Sequence, residues 1–191
     1  MRIRLARPTD AAAVQVIYAP IVTDTVISFE LEPPTVEEME RRITETLAEY
    51  PWLVAERHDH VIGYAYGHRF AGRAAYAWSV ESSIYIADNA RGQGVGRRLY
   101  DALLPVLRAQ GYQQVFAGAT LPNPASVALH ERVGFRPVGI YRRAGWKFGA
   151  WHDVGMWQLA LDDDGAEPSP PRRLEALPPG ALERLLVGSA R

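Results

Sequence analysis

Arg91-Gly92-Gln93-Gly94-Val95-Gly96 stands between a strand-like run, about Tyr76 to Ala87, and a segment whose apolar residues Leu99, Leu103, Val106 and Leu107 recur at helical spacing. The reading of this stretch decides the fold. The first turn of a helix carries backbone N–H groups with no partner inside the helix, and small residues before it let those donors close on an anion. The segment therefore reads as a pyrophosphate cradle at a helix N-terminus. Pro105 falls inside the helix, and its missing N–H predicts a kink there.

Three phosphate-binding patterns compete for such a turn. A P-loop requires lysine and then serine or threonine after its last glycine, where this chain has Arg97-Arg98. A dinucleotide fingerprint requires glycine three positions after Gly94, where Arg97 stands, and an acidic ribose partner about 20 residues on. The remaining pattern is glutamine or arginine, two residues, glycine, one residue, then glycine or alanine, and Arg91, Gly94 and Gly96 match it. In this the loop resembles that of the Gcn5-related N-acetyltransferases. Taken alone, it also fits a plain glycine-rich turn.

Outward from the loop, Ile3-Arg4-Leu5-Ala6 alternates as a strand, and Thr9 or Asp10 caps a helix through Ile17 and Tyr18 that ends near Pro20. Thr35-Val36-Glu37-Glu38 reads as a capping box opening a helix to about Tyr50. Trp52–Ala55 and Val61–Tyr66 are strands around the turn Arg57-His58-Asp59-His60. Beyond the loop helix come a strand at Val115–Ala117, a helix at Asn123–Val133, and strands near Arg136–Tyr141 and Trp151–Leu161. The order, starting β-α-α-β-β-β-α-β-α, is mixed α/β. After Leu161 the chain turns acidic and then proline-rich, with a short helix at Ala181–Val187, so we read 1–161 as the domain and 162–191 as an accessory, flexible tail.

Composition narrows the partners. The 21 Lys and Arg residues nearly cancel 22 Asp and Glu, so no global field draws the chain to nucleic acid or anionic lipid. The absence of cysteine excludes a disulfide framework, a thiolate metal site and a cysteine nucleophile. Arg2, Arg4, Arg7 and Asp10 interrupt the N-terminal apolar residues, and no apolar run approaches the ~20 residues of a spanning helix, so a cytoplasmic protein is expected. His58 and His60 fall in a turn, and His68, His130 and His152 lack ligand spacing, so no metal is expected.

Several segments narrow the resemblance to the phosphinothricin N-acetyltransferases: Tyr50-Pro51-Trp52-Leu53-Val54-Ala55-Glu56, Val80-Glu81-Ser82-Ser83-Ile84-Tyr85-Ile86, Leu121-Pro122-Asn123-Pro124-Ala125-Ser126, Leu129-His130-Glu131, and Arg143 to Gly149 with Trp151 to Gly155. The likeness runs over residues 2–161. It implies a mostly antiparallel sheet, splayed at its middle strands and flanked by helices, with acetyl-CoA as co-substrate. By the same likeness the cofactor would be held by Ile84, Tyr85 and Ile86, by Arg91, Gly92, Gln93, Gly94, Val95, Gly96 and Arg97, and by Asn123 and Ser126. Trp146, Trp151 and Trp157 belong to the core or, as the resemblance implies, to a homodimer interface.

An amine attacks a thioester only when unprotonated, so a base is needed near the cofactor. Glu81 lies on the strand leading to the loop, and the resemblance assigns it and His130 to proton transfer. An exposed histidine needs little shift to exchange a proton near neutrality. Phosphinothricin carries a carboxylate and a phosphinate, so its pocket needs a guanidinium, for which Arg73, with Tyr76 beside it, is the candidate. Phe29 would wall the substrate's methylene chain. Methionine sulfoximine and methionine sulfone are parallel acceptors. An acetyltransferase for another amine, such as a peptide N-terminus or an antibiotic, and a non-catalytic acyl-CoA-binding module remain open on sequence.

Overall fold

Among the described residues the strands are β1 Arg2–Leu5, β2 Trp52–Arg57, β3 His60–Arg69, β4 Ser79–Ile86, β5 Gln114–Leu121, β6 Arg136–Lys147 and β7 Ala150–Ala160. They form one sheet in the order β1-β2-β3-β4-β5-β7-β6 in a computed structural model that describes residues 1–162, 165 and 167–188, without the side chains of 187 and 188. Every neighbouring pair is antiparallel except β4 and β5. The helices are α1 Ala11–Asp24, α2 Val36–Leu47, α3 Val95–Gln110, α4 Pro124–Val133 and α5 Ala181–Gly188.

Two apolar clusters cover the two faces. One packs α1 and α2, through Val14, Ile17, Val22, Met39 and Ile43, against Trp52, Val54 and Tyr64. The other packs α3, through Leu99, Leu103 and Leu107, against Leu53, Ala65, Val80, Val115 and Ala117. The period of two along the strands thus sends Leu53 and Val54 to opposite cores.

The parallel pair opens the site. β4 and β5 are in register only at Ser79↔Gln114, Val80↔Val115 and Glu81↔Phe116, although β4 runs on to Ile86 and β5 to Leu121. Beyond this fork, Ser82 to Ile86 have no β5 partner, so one edge of β4 keeps its peptide groups for another molecule.

Four expectations shift. α1 continues through Pro20 to Asp24: Pro20 leaves the Val16 carbonyl without its helical donor, but Val16 is solvent-exposed and buried Ile21 and Val22 hold the last turn. The box at Thr35 is half made. Thr35 Oγ1 accepts from Glu38 N at 3.1 Å, whereas the Glu38 carboxylate is taken by Arg41 and Arg42 at 2.8–2.9 Å. β4 starts only at Ser79, because Ala74–Tyr76 coil into a single 3-10 turn. β6 continues to Lys147 because the register with β7 resumes after a bulge, from Tyr141↔Val154 to Gly145↔His152.

The hairpin at His58-Asp59 holds, with both residues at positive φ as a two-residue turn between right-twisted strands requires. After β7 the chain crosses the far side of α3. Trp78 Nε1 donates to the Ser169 carbonyl at 2.9 Å, Gln110 Nε2 donates to the Arg172 carbonyl at 2.8 Å, and α5 rests on α3 and β1. Asp163, Asp164, Ala166 and 189–191, within the segment read as a tail, lie outside the described residues.

Candidate active site

A cleft of about 340 Å³ follows the free edge of β4. Ile84, Tyr85 and Ile86 form one wall, Arg91, Gly92, Gly94, Val95, Gly96 and Arg97 the turn and first helical residues, and Asn123, Ser126 and Leu129 the opposite wall. The expected cofactor residues therefore converge, with one exception. Gln93 points away: its amide donates to the Asn89 carbonyl at 2.7 Å and its oxygen accepts from Arg57 at 2.8 Å.

The three glycines do different work. Gly92 and Gly94 adopt φ of +72° and +78°, left-handed values that side chains resist, and Gly94 stands as N-cap of α3. Gly96 is ordinary helix, but a Cβ on it would lie 2.8 Å from Leu129 Cδ2. Its smallness lets α3 and α4 approach, a packing role that the phosphate reading overlooked. Asn123 caps α4, its side chain accepting from Ser126 N at 3.1 Å, so both residues face the cleft from a helix start. Arg91, Arg97 and Arg132 add positive charge beside the N-terminal turn of α3.

The cleft narrows inward to a cavity of about 60 Å³ at the fork, lined by Ile27, Ser82, Ser83, Ile84, Tyr85, Gly118, Ala119, Asn123, Ser126 and His130. Glu81 is half-buried at the last paired position of β4, and its Oε1 lies 3.7 Å from where a Gly118 Cβ would stand. Gly118 keeps that approach open.

His130 departs from the exposed, easily titrated ring the sequence suggests. It is 2% exposed, boxed by Tyr100, Phe135 and Trp157, with Nε2 3.0 Å from the Tyr100 hydroxyl. Burial pushes its imidazole down to about 4, so it is neutral at pH 7.

The expected acceptor residues sit on loops. Phe29 lies in the irregular α1–α2 connection, its ring against Gly145 and 6.3 Å from the His152 ring. Arg73 is exposed before the 3-10 turn. Tyr76 sets its edge on Phe70, which stacks at 4.0 Å on Phe116, the residue opposite Glu81. The structure thus links Tyr76 to the fork and leaves Arg73 at the rim.

Sequence reading missed four features. Ile27 lines both the cleft and the inner cavity. Buried Lys147 donates to the Val22 and Ser28 carbonyls, each at 2.7 Å, and so ties the Phe29 loop to β6. Tyr100 and Ser82 lie behind His130. A fourth feature is an aromatic recess of about 250 Å³ on the α2 face, lined by Tyr64, Tyr66 and His68 of β3 with Arg42 of α2. A lysine inside a strand was the one local signal; the others depend on contacts between distant segments.

A sheet forked beside a glycine turn, with free peptide groups along one arm and cations at its end, defines an acyltransferase that takes a long, phosphate-bearing thioester. The acetyltransferase (GNAT) domain profile matches residues 3–157, and the chain belongs to that family of N-acetyltransferases. It is 41% identical over 172 residues to a phosphinothricin N-acetyltransferase of Streptomyces viridochromogenes, covering 90% of this chain and 92% of the relative. It is 33% identical to an L-methionine sulfoximine/L-methionine sulfone acetyltransferase of Salmonella typhimurium, covering 87% and 98%. A crystal structure of a phosphinothricin acetyltransferase from Sinorhizobium meliloti in complex with AcCoA superposes with a TM-score of 0.84 at 34% identity, covering 95% and 97%.

Proposed function

We propose that this enzyme transfers the acetyl group of acetyl-CoA to the amino group of phosphinothricin or a similar amino acid, methionine sulfoximine and methionine sulfone included. The observation that carries the reading is the fork. One cavity brings together the free edge of β4, Gly118 beside the Glu81 carboxylate, and His130. Ile84 to Ile86 pair with the pantetheine amides, and the Arg91–Arg97 turn receives the pyrophosphate. The thioester supplies an activated acyl group whose thiolate, with a solution pKa near ~8.5, departs without a dedicated acid. Glu81, directly or through one water, takes the proton that keeps the amine unreactive, the attack follows within one ternary complex, and the surplus proton on the new amide nitrogen passes to water as the thiolate leaves. Phe29, Arg73 and Tyr76 receive the acceptor, Arg73 meeting its anionic end.

A second reading, acetylation of a larger amine, draws support from the exposure of the whole Gly72–Tyr76 segment, which leaves the acceptor end open. We also read the enzyme as a cytoplasmic homodimer, since edge strand β6 and its turn expose Val138, Ile140, Tyr141, Trp146 and Phe148, an apolar row that a second copy would cover. In that reading residues 1–161 form the catalytic domain and 162–191 an accessory strap.

Acetyl-CoA-dependent thiol release, measured with phosphinothricin, methionine sulfoximine, methionine sulfone and a panel of unrelated primary amines, tests the proposal. Turnover confined to the first three is expected. Turnover only among the unrelated amines would overturn the acceptor, and none at all would overturn the catalytic reading.

A further inference from the structure

Behind the fork three buried polar side chains stand in a row. Ser82 Oγ lies 3.2 Å from the Phe116 carbonyl oxygen and 3.2 Å from the Tyr100 hydroxyl, which lies 3.0 Å from His130 Nε2. Ser82 is 4% exposed, Tyr100 0% and His130 2%. The other ring nitrogen, Nδ1, is buried and has no protein partner.

Proton bookkeeping fixes the direction of this row. Each hydroxyl has one proton to give, and a carbonyl oxygen only accepts. If Ser82 donates to Phe116, it meets Tyr100 as an acceptor; the Tyr100 proton goes to Ser82, and Tyr100 accepts from Nε2–H. All three contacts are then hydrogen bonds, and Nδ1 carries a lone pair. Reversing the row takes the Ser82 proton from the carbonyl and puts an N–H on Nδ1 with no acceptor. A buried donor left unpaired costs its full desolvation, so the reversed row is the poorer one.

We infer that Tyr100 and Ser82 are positioning residues that hold His130 as its Nε2–H tautomer, so that Nδ1, the ring nitrogen without a protein partner, carries a lone pair and no proton in the wall of the fork cavity. The inference rests on the reading of that cavity as the acyl-transfer site. Because burial keeps the ring neutral, its tautomer rather than its charge sets what it does. The remaining ring neighbours, Phe135 and Trp157, contact it through aromatic faces and edges and bring no charge. The Nδ1 lone pair then accepts from an N–H of the incoming amine, or from an O–H of a water that reaches it, and His130 has no Nδ1 proton to give to the departing thiolate.

The test is ¹⁵N NMR of the histidine rings in the full chain at pH 7, with His130→Gln assigning the signal among the five histidines. The expected spectrum shows protonated Nε2 and bare Nδ1. Tyr100→Phe, which keeps the ring volume, is expected to give a tautomer mixture and to lower kcat ~10-fold with the KM for acetyl-CoA unchanged. Ser82→Ala is expected to act the same way more weakly, and it serves if Tyr100→Phe does not fold. A protonated Nδ1 in the unaltered enzyme overturns the inference, as does a tautomer that neither variant shifts. The expected tautomer in a protein that acetylates no amine would instead sink the catalytic reading and leave the hydrogen-bond row standing.

Discussion

The cofactor arm of the fork and its acceptor end are built on different plans. Apart from Ile21 and Ile27, the cleft draws on two short stretches, residues 84–97 and 123–132, and offers mainly peptide groups, helix starts and three arginines. The proposed acceptor end gathers Phe29, Phe70, Tyr76, Glu81, Gly118 and His152 from separate parts of the chain, and Lys147 must reach Val22 across 125 positions to hold one of its loops. Recognition by backbone is coded locally, because a turn and a cap suffice to aim N–H groups. Recognition by side chains is assembled by the whole fold, so it is free to vary while the cofactor arm stays the same.

Substitutions should separate the two plans. The largest effect belongs to Glu81→Gln, which keeps shape and removes the proposed base: turnover should fall ~10²-fold or more while the KM for acetyl-CoA holds. Near-normal rates across pH in steady-state assays would show that chemistry does not depend on this carboxylate. Lys147→Met should raise the acceptor KM by about tenfold and leave the acetyl-CoA KM unchanged, because it leaves the Val22 and Ser28 carbonyls without their charged donor and loosens the Phe29 loop. Equal losses for both substrates would erase the distinction between the two regions.

The remaining effect is on stability rather than on rate. The folded-state pKa of His130, about 4, lies below the ordinary 6.5, so the unfolded chain binds more protons between those values. Stability should therefore fall as pH drops through that window, with a slope approaching ~1.4 kcal/mol per unit from this residue. Urea denaturation of the His130→Gln variant should show a shallower dependence over the same range, and an identical one would mean the ring titrates normally.

How much of this was legible in sequence follows the same division. Arg91 and Gly94, with Asn123 and Ser126, declared the cleft because each acts within a turn of where it stands, whereas Gly96 lines it but owes its smallness to Leu129 of α4. The helix and strand order was readable from periodicity, and the misjudged boundaries, at Pro20, Ser79 and Gly145, are places where tertiary contacts override local preference. The burial of His130 was hidden, since α4 shows only a weakly polar exposed face and the Tyr100 and Trp157 that enclose it lie some 30 positions away on either side. Gln93 was grouped with its neighbours by position, but alternation along an irregular turn does not fix which way a side chain leaves.

Phe29 and Gly145 constrain the order in which this acceptor end could evolve. A Cβ at Gly145 would run into the Phe29 ring, so a larger residue there requires the ring to move or shrink. Shrinking Phe29 first opens the route, and filling Gly145 afterwards makes the return costly. The two positions are therefore coupled: the side chain that one can carry depends on the other.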